Sequence, residues 1–223
     1  MKKPYYEDVA SGITIYNADC RDIIPQLPEV PVIITDPVWP DNKVFKNINP
    51  EKLFSQTMKI IKCKRLVVQL GCDSDPRFLR SIPKNLKYVR SIVLEYARPS
   101  YKGRILYTGD IAYIFGSIPA YERKKLIPGR YVSSKVDNHF IRQASKNEKD
   151  KSTHPTPRRL QHVVYLVDLF GEEIIVDPFM GSGTTLVAAK HLGYNAIGIE
   201  ISKEYCDIAV NRLRQGVIRY ERM

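Results

Sequence analysis

The sequence predicts an α/β protein with an open, mixed sheet flanked by helices, built as one domain over residues 1–223. Three observations carry this. Short apolar runs alternate with longer amphipathic stretches along most of the chain. One of these runs, Ile174-Ile175-Val176, leads into a glycine-rich turn that opens a helix, and the next, Ala196-Ile197-Gly198-Ile199, ends on an acid, Glu200. With 223 residues and 43% apolar content, the chain can bury a core near the upper range of a single domain.

In chain order, the apolar runs expected as strands are 13–16, 32–35, 66–70, 89–95, 111–115, 174–176 and 196–199. Each is of strand length and rich in Val, Ile or aromatic residues, as a buried pleated strand requires. Helices are expected at 50–61, 76–81, 157–170, 184–192 and 203–215. The strands at 89–95 and 111–115 have no long helix between them, so they form a hairpin. From Tyr121 to Lys151 the periodicity breaks: nine Lys/Arg face four Asp/Glu, and Pro128-Gly129 and Ser133-Ser134 interrupt it. Residues 118–153 are therefore a small basic insertion, and no internal repeat or low-complexity block occurs.

The net charge of +11 and pI of about 9.4 favour a polyanionic partner without identifying one. Cys20, Cys63, Cys72 and Cys206 are scattered, with no zinc-ligand spacing, and read as reduced structural thiols; no metal site is expected. No stretch approaches the roughly 20 apolar residues of a membrane span, and Met1-Lys2-Lys3 is not followed by an apolar core. The expected location is the cytoplasm, or a host's cytoplasm if the gene belongs to a phage.

The first motif is Asp177-Pro178-Phe179-Met180-Gly181-Ser182-Gly183-Thr184-Thr185. Its glycines let a turn pass close to a ligand before a helix begins near Thr184. A phosphate loop needs Lys-Ser or Lys-Thr after its last glycine, and the first lysine here is Lys190. A dinucleotide fingerprint needs a third glycine, which is missing. The remaining candidate is a nucleoside cofactor without pyrophosphate, with Glu200 placed to accept hydrogen bonds from ribose hydroxyls. Strand, glycine turn, helix, strand and acid together fit S-adenosylmethionine.

The second motif, Asp36-Pro37-Val38-Trp39, follows the run at 32–35. A conjugated amine is a poor nucleophile because its lone pair is delocalised. Two acceptors aimed at its N–H bonds, the Asp36 carboxylate and the Pro37 carbonyl, favour the pyramidal geometry and stabilise positive charge as it develops. Trp39, the single tryptophan, offers a flat face on which an extruded base can stack. Asp36-Pro37 taken alone is equally an ordinary strand-ending turn.

Together the two motifs resemble those of the beta-type, permuted amino-methyltransferases, the family of DNA N6-adenine and N4-cytosine methyltransferases. In that order the acceptor motif precedes the cofactor motif, as here. The resemblance runs from Ile13 to Arg212 and implies a Rossmann-like class I fold with a mixed seven-stranded sheet and S-adenosylmethionine as methyl donor. It also implies that Asp177 lies near the methionyl ammonium, that Phe179 lines the pocket, and that Pro178, Gly181, Ser182, Gly183, Thr184 and Thr185 shape the turn around the cofactor. His154-Pro155-Thr156 matches the family's His-Pro-Thr, which makes Thr156, with His154 beside it, a contact for the amino-acid end. Asn17-Ala18-Asp19-Cys20 resembles a strand end whose acid lies near the adenosine, so Asp19 joins the cofactor residues; a turn acid is the alternative. The sequence departs from the family at Val38, where a second proline is usual, and at Trp39, where tyrosine is commoner. Valine leaves that step less constrained.

The partner that these readings imply is double-stranded DNA with a flipped target base. Arg123, Lys124, Lys125, Arg130, Lys135 and Arg142, interleaved with Tyr121, Tyr131 and Phe140, are the expected contacts. A second basic stretch, 98–104, joins two strands and is placed to approach DNA as well. Arg212, Arg214 and Arg219 read as a solvated helix face and tail. The expected activity is methylation of adenine N6, with cytosine N4 as the alternative. An RNA or protein-amide methyltransferase, or a non-catalytic DNA-binding remnant, are the rival classes. Monomer and homodimer both stay open, as do the recognition sequence and any restriction partner.

Overall fold

The apolar runs expected as strands all pair into one sheet, and two short strands extend it at the edges. The structure, a computed structural model, describes residues 2–37, 49–71, 74–120, 126–132 and 159–215. Its elements in chain order are β1 (Tyr6–Asp8), β2 (Ile13–Asn17), α1 (Cys20–Ile23), β3 (Val30–Thr35), α2 (Pro50–Met58), β4 (Cys63–Gly71), β5 (Tyr88–Lys102), β6 (Ile105–Gly116) and β7 (Arg130–Val132). They continue with α3 (Leu160–Phe170), β8 (Ile174–Asp177), α4 (Thr184–Leu192), β9 (Asn195–Glu200) and α5 (Lys203–Arg214). The helix expected at 76–81 is a 3-10 turn over Pro76–Ser81, capped by the Asp75 carboxylate.

The strand order is β1-β2-β9-β8-β3-β4-β6-β5-β7. β2, β9, β8, β3 and β4 are mutually parallel, and β6 runs antiparallel to both β4 and β5. The sheet therefore has nine strands where seven were expected. The two additions, β1 and β7, are three residues each, too short to register as a hydrophobic period. β7 lies inside the basic segment read as irregular and pairs in parallel with β5 after Gly129 accepts a hydrogen bond from the Val93 amide.

β5 and β6 do form a hairpin, and it is much longer than the sequence pattern suggested. Lys102 pairs with Ile105 across a two-residue turn at Gly103-Arg104, where Gly103 has φ +59°. The stretch at 98–104 is thus the end of a paired ribbon and not a loop joining two strands.

The central strands alternate their apolar residues between two cores. Val32 and Ile34 of β3 face one core with α3, α4 and α5, while Ile33 faces the other with Phe54 and Met58 of α2. Burial on both faces explains why β3 and β4 read as nearly continuous apolar runs. Cys20, Cys63 and Cys206 are buried thiols, each pushed up by burial, to about 11 for Cys20 and about 12 for the other two. Among the described residues no helix is long and apolar enough to cross a membrane.

A large cationic side chain is built into this core. Arg65 of β4 is 1% exposed; its guanidinium donates to the Phe170 carbonyl at 2.9 Å and the Ser117 carbonyl at 2.8 Å, and pairs with Glu172 at 2.8 Å. It joins the end of α3 to the end of β6. Arg65→Ala leaves two carbonyls unpaired and a void, so we expect urea denaturation to give a loss of about 2–4 kcal/mol.

Candidate active site

Five parallel strands deliver their carboxyl ends to one edge of the sheet. Between β8 and β3 the direction of winding reverses: β3 continues through α2 to β4 on one side, and β8 through α4 to β9 on the other. In open α/β sheets the crevice outside such a switch point is where ligands bind. Both sequence motifs end there, Asp36-Pro37 directly after β3 and Asp177-Pro178 at the end of β8.

The two motifs are hydrogen-bonded to each other. Thr35, the last residue of β3, donates its hydroxyl to Asp177 Oδ1 at 2.7 Å, and the Phe179 amide donates to the same oxygen at 3.1 Å. Thr185 supplies a further hydroxyl donor. Asp177 is buried, and loss of solvation raises its carboxyl to about 6, with the Thr185 and Thr35 hydroxyls and the Phe179 amide opposing the shift and the nearby charge of Asp36 adding to it. Asp36 itself is half-buried and Pro37 buried.

The glycine turn has the close approach expected of it. Gly183 caps α4 in the left-handed region at φ +80°, and a Cβ there would meet the Ala209 Cβ at 2.7 Å. The Gly181 amide donates to Glu200 Oε2 at 3.1 Å, and the Ser202 amide donates to Oε1 at 2.8 Å. Glu200 is buried at the end of β9, and desolvation raises it to about 7 against these backbone hydrogen bonds. Each of its oxygens still has a lone pair for another donor. Among the described residues neither Asp177 nor Glu200 forms an ion pair.

Pro178, Phe179, Ser182, Thr184 and Thr185 are all buried around this turn. Phe179 packs with its ring centroid 6.4 Å from that of Phe54, which in turn lies 4.4 Å from Phe78, so the residue also closes the core on the α2 face. Asp19 stands two residues beyond β2, where Ala18 donates to the Glu200 carbonyl. It caps α1 through the Arg21 amide and chelates the Arg21 guanidinium, which holds its carboxyl below the usual range. Of the expected nucleic-acid contacts, Arg130 lies exposed on β7, paired with Glu95 at 2.9 Å. Trp39, Thr156, His154, Arg123, Lys124, Lys125, Lys135 and Arg142 lie outside the described residues.

The sequence reading passed over two side chains. Thr35 looked like the last residue of a strand, yet it is the link between the motifs. Arg212, read as part of a solvated face, instead donates from α5 to the Ser182 carbonyl at 2.8 Å and to the Ser182 and Thr184 hydroxyls at 3.1 Å each. Helical spacing puts it there: Arg212 is three residues on from Ala209, which packs on Gly183, so both face the turn.

This chain also resembles known proteins. The family model for DNA methylase (N6_N4_Mtase) matches residues 39–211. The chain belongs to this DNA methylase family. The chain is 32% identical to the type II methyltransferase M.HindIII of Haemophilus influenzae over 131 residues, 58% of this chain and 41% of that protein. It is 45% identical to M2.LlaDCHI of Lactococcus lactis subsp. cremoris over 73 residues, 32% of this chain but only 27% of that protein's length. With M.BglII of Bacillus subtilis the identity is 28%, across 87% of this chain and 67% of the other. Among solved structures, an S-adenosylmethionine complex of M1.HpyAVI superposes with a TM-score of 0.66 at 26% identity, covering 91% of this chain and 99% of that one. The cytosine-N4-specific PvuII methyltransferase shares the fold, with a TM-score of 0.68 at 15% identity over 97% of this chain and 91% of the other. The fold of the chain is thus the class I methyltransferase sheet.

The buried carboxyls make stability depend on pH. Both bind protons more tightly in the folded protein than in the unfolded chain, so stability is greatest at the acid end of their window and falls as pH rises from about 4 to about 7. Thermal unfolding across that range should show the decline, and Asp177→Asn should make it shallower. Gly183→Ala should cost about 1–3 kcal/mol, from the left-handed backbone and the Ala209 contact, measured by thermal denaturation.

Proposed function

We propose that this chain transfers a methyl group from S-adenosylmethionine to an exocyclic base amine in DNA, with adenine N6 as the target. The observation that carries the reading is the Thr35–Asp177 hydrogen bond, which holds the acceptor and cofactor motifs side by side at the switch point. The residues present fit the cofactor. Two buried carboxylates without ion-pair partners among the described residues suit a ligand with a cationic ammonium and hydroxyl donors, and the Gly181–Gly183 turn admits it close to the backbone.

In this reading Asp177 faces the methionyl ammonium and Glu200 takes the ribose hydroxyls, while Arg212 keeps the turn in shape through Ser182 and Thr184. S-adenosylmethionine supplies an electrophilic methyl on a sulfonium. The chain's own contribution lies on the acceptor. The Asp36 carboxylate and the Pro37 carbonyl accept the two N–H bonds of the amine, turn its lone pair toward the methyl and stabilise the positive charge that appears on nitrogen. A carboxylate with a reference pKa of about 3.9 cannot deprotonate a neutral amine before attack. The N–C bond therefore forms as the S–C bond breaks, and the amine proton leaves afterwards to Asp36 or water. Trp39 gives the base a stacking surface worth about 1–3 kcal/mol.

Adenine is preferred over cytosine because the acceptor motif begins with Asp, which within the family is associated with N6 transfer. The deciding experiment incubates the purified protein and Asp36→Ala with unmethylated duplex DNA and labelled S-adenosylmethionine, followed by nucleoside mass analysis. N6-methyladenine from the unaltered protein, with turnover lowered on the order of 100-fold or more by Asp36→Ala, is the expected result. N4-methylcytosine would reassign the base. No methylated nucleoside despite cofactor binding would transfer the activity to RNA or protein amides, or remove it.

Cofactor binding should also depend on pH. A cationic ligand favours ionised Asp177 and Glu200, so affinity should rise as pH increases from about 5 to 7.5, and Asp177→Asn should both weaken and flatten it; calorimetric titration checks this.

A further inference from the structure

We infer that the hairpin of β5 and β6 is a braced arm that contacts duplex DNA beside the acceptor site, a conclusion that rests on the DNA reading above. Among the described residues β6 pairs with β4 as far as Asp110 opposite Gly71, and five more residues, Ile105 to Gly109, run on with β5. At ~3.4 Å per residue, that is about 17 Å of ribbon past the end of β4. Because β6 is antiparallel to β4, the extension points off the carboxyl edge of the sheet, the edge that carries Asp36 and Asp177.

What the arm exposes is unusual for a free ribbon. Tyr101 is 80% exposed, Ile105 62% and Leu106 59%, and Tyr101 and Leu106 are register partners, so they share one face. Residues 97–106 include Arg98, Lys102 and Arg104 and no acid. Arg104 is exposed at the turn. Exposed apolar side chains beside the exposed Arg104 match the sugar and base edges of a groove and its flanking phosphates, and a two-stranded ribbon is narrow enough for a major groove about 12 Å wide. The net charge of +11 favours the same partner.

The base of the arm is fixed by a buried polar cluster that no part of the methyl-transfer reading uses. Asp110, 1% exposed, accepts from Tyr96 Oη at 2.6 Å and from Gln69 Nε2 at 3.0 Å, and His162 Nδ1 lies 3.8 Å away. The Tyr96 ring stacks on His162 at 5.7 Å, and the Arg159 guanidinium lies 4.3 Å over the same ring. Tyr96 sits where the β5 register shifts, between Glu95 and Ser100. The bulge sets the direction of the arm, and the cluster ties both its strands to β4 and α3. An arm held in this way loses little freedom on binding.

The test compares the full chain with Arg104→Ala and with the triple variant Tyr101→Ser, Arg104→Ser, Leu106→Ser. Binding of a fluorescein-labelled mixed-sequence duplex is followed by anisotropy over a range of salt, with cofactor affinity by calorimetry and mass by sedimentation. The inference expects the triple variant to bind duplex at least 10-fold more weakly and Arg104→Ala to reduce the salt slope by about one, with cofactor affinity and thermal midpoint unchanged. Because every substituted side chain is exposed, the folded core is left intact. Wild-type duplex affinity and slope in both variants would overturn it. So would conversion of a dimer to a monomer without loss of duplex binding, which would assign the arm to self-association. If the unaltered protein neither binds nor methylates duplex, the parent reading fails, a result visible without any variant.

Discussion

The hydrogen bond from Thr35 to Asp177 is the contact on which the rest of the site depends. It is short, buried, and spans the place where two neighbouring parallel strands lead away in opposite directions. A carboxylate taken out of water without a counter-ion is unfavourable, and hydroxyl and amide donors offset only part of that cost. On the proposed reading a cationic ligand relieves that cost at Asp177. The same is true of Glu200, held by two backbone amides at the end of the next strand. Both groups weaken the folded state near neutral pH, and on the proposed reading the cofactor restores what is lost, the exchange expected where local stability has been given up for binding.

The turn between these acids is held from three directions. Glu200 fixes it through the Gly181 amide, Ala209 closes over Gly183, and Arg212 gathers the Ser182 carbonyl and two hydroxyls. All three supports come from elements that follow the turn in sequence, β9 and α5. The result is a loop whose shape is set before any ligand arrives, as a site that must position a reacting atom to within a fraction of an ångström requires.

Much of this was legible in the residues. The strands of the parallel core were readable because burial on both faces makes them continuously apolar, and the glycine turn because only glycine tolerates φ +80° against a neighbouring Cβ. β1 and β7 were not, because three residues cannot show a period. The length of the hairpin was hidden for a different reason: beyond Asp110 the apolar residues Tyr101, Ile105 and Leu106 are all exposed, so they give no alternation of buried and exposed positions, and only Gly103 marks the turn. Arg212 was misread because a charge on a helix is normally solvated, and its partners are backbone and hydroxyl groups that carry no sequence signal of their own. The Asp110 cluster escaped notice because its four polar members come from four separate elements.

The order in which the motifs occur along the chain also has a consequence for how the molecule comes into being. β3 and β8 are neighbours at the centre of the sheet, yet Thr35 and Asp177 are 142 residues apart. During synthesis β3 can pair with β4 early, but its other edge must remain open until the segment beginning at Ile174 has left the ribosome. That edge belongs to a strand with Val32, Ile33 and Ile34 buried in the finished fold. A nascent chain halted before β8 would thus carry an unsatisfied apolar strand edge, a template for aggregation. Closing the loop between them is slow for entropic reasons, and the crevice would assemble among the last features of the fold.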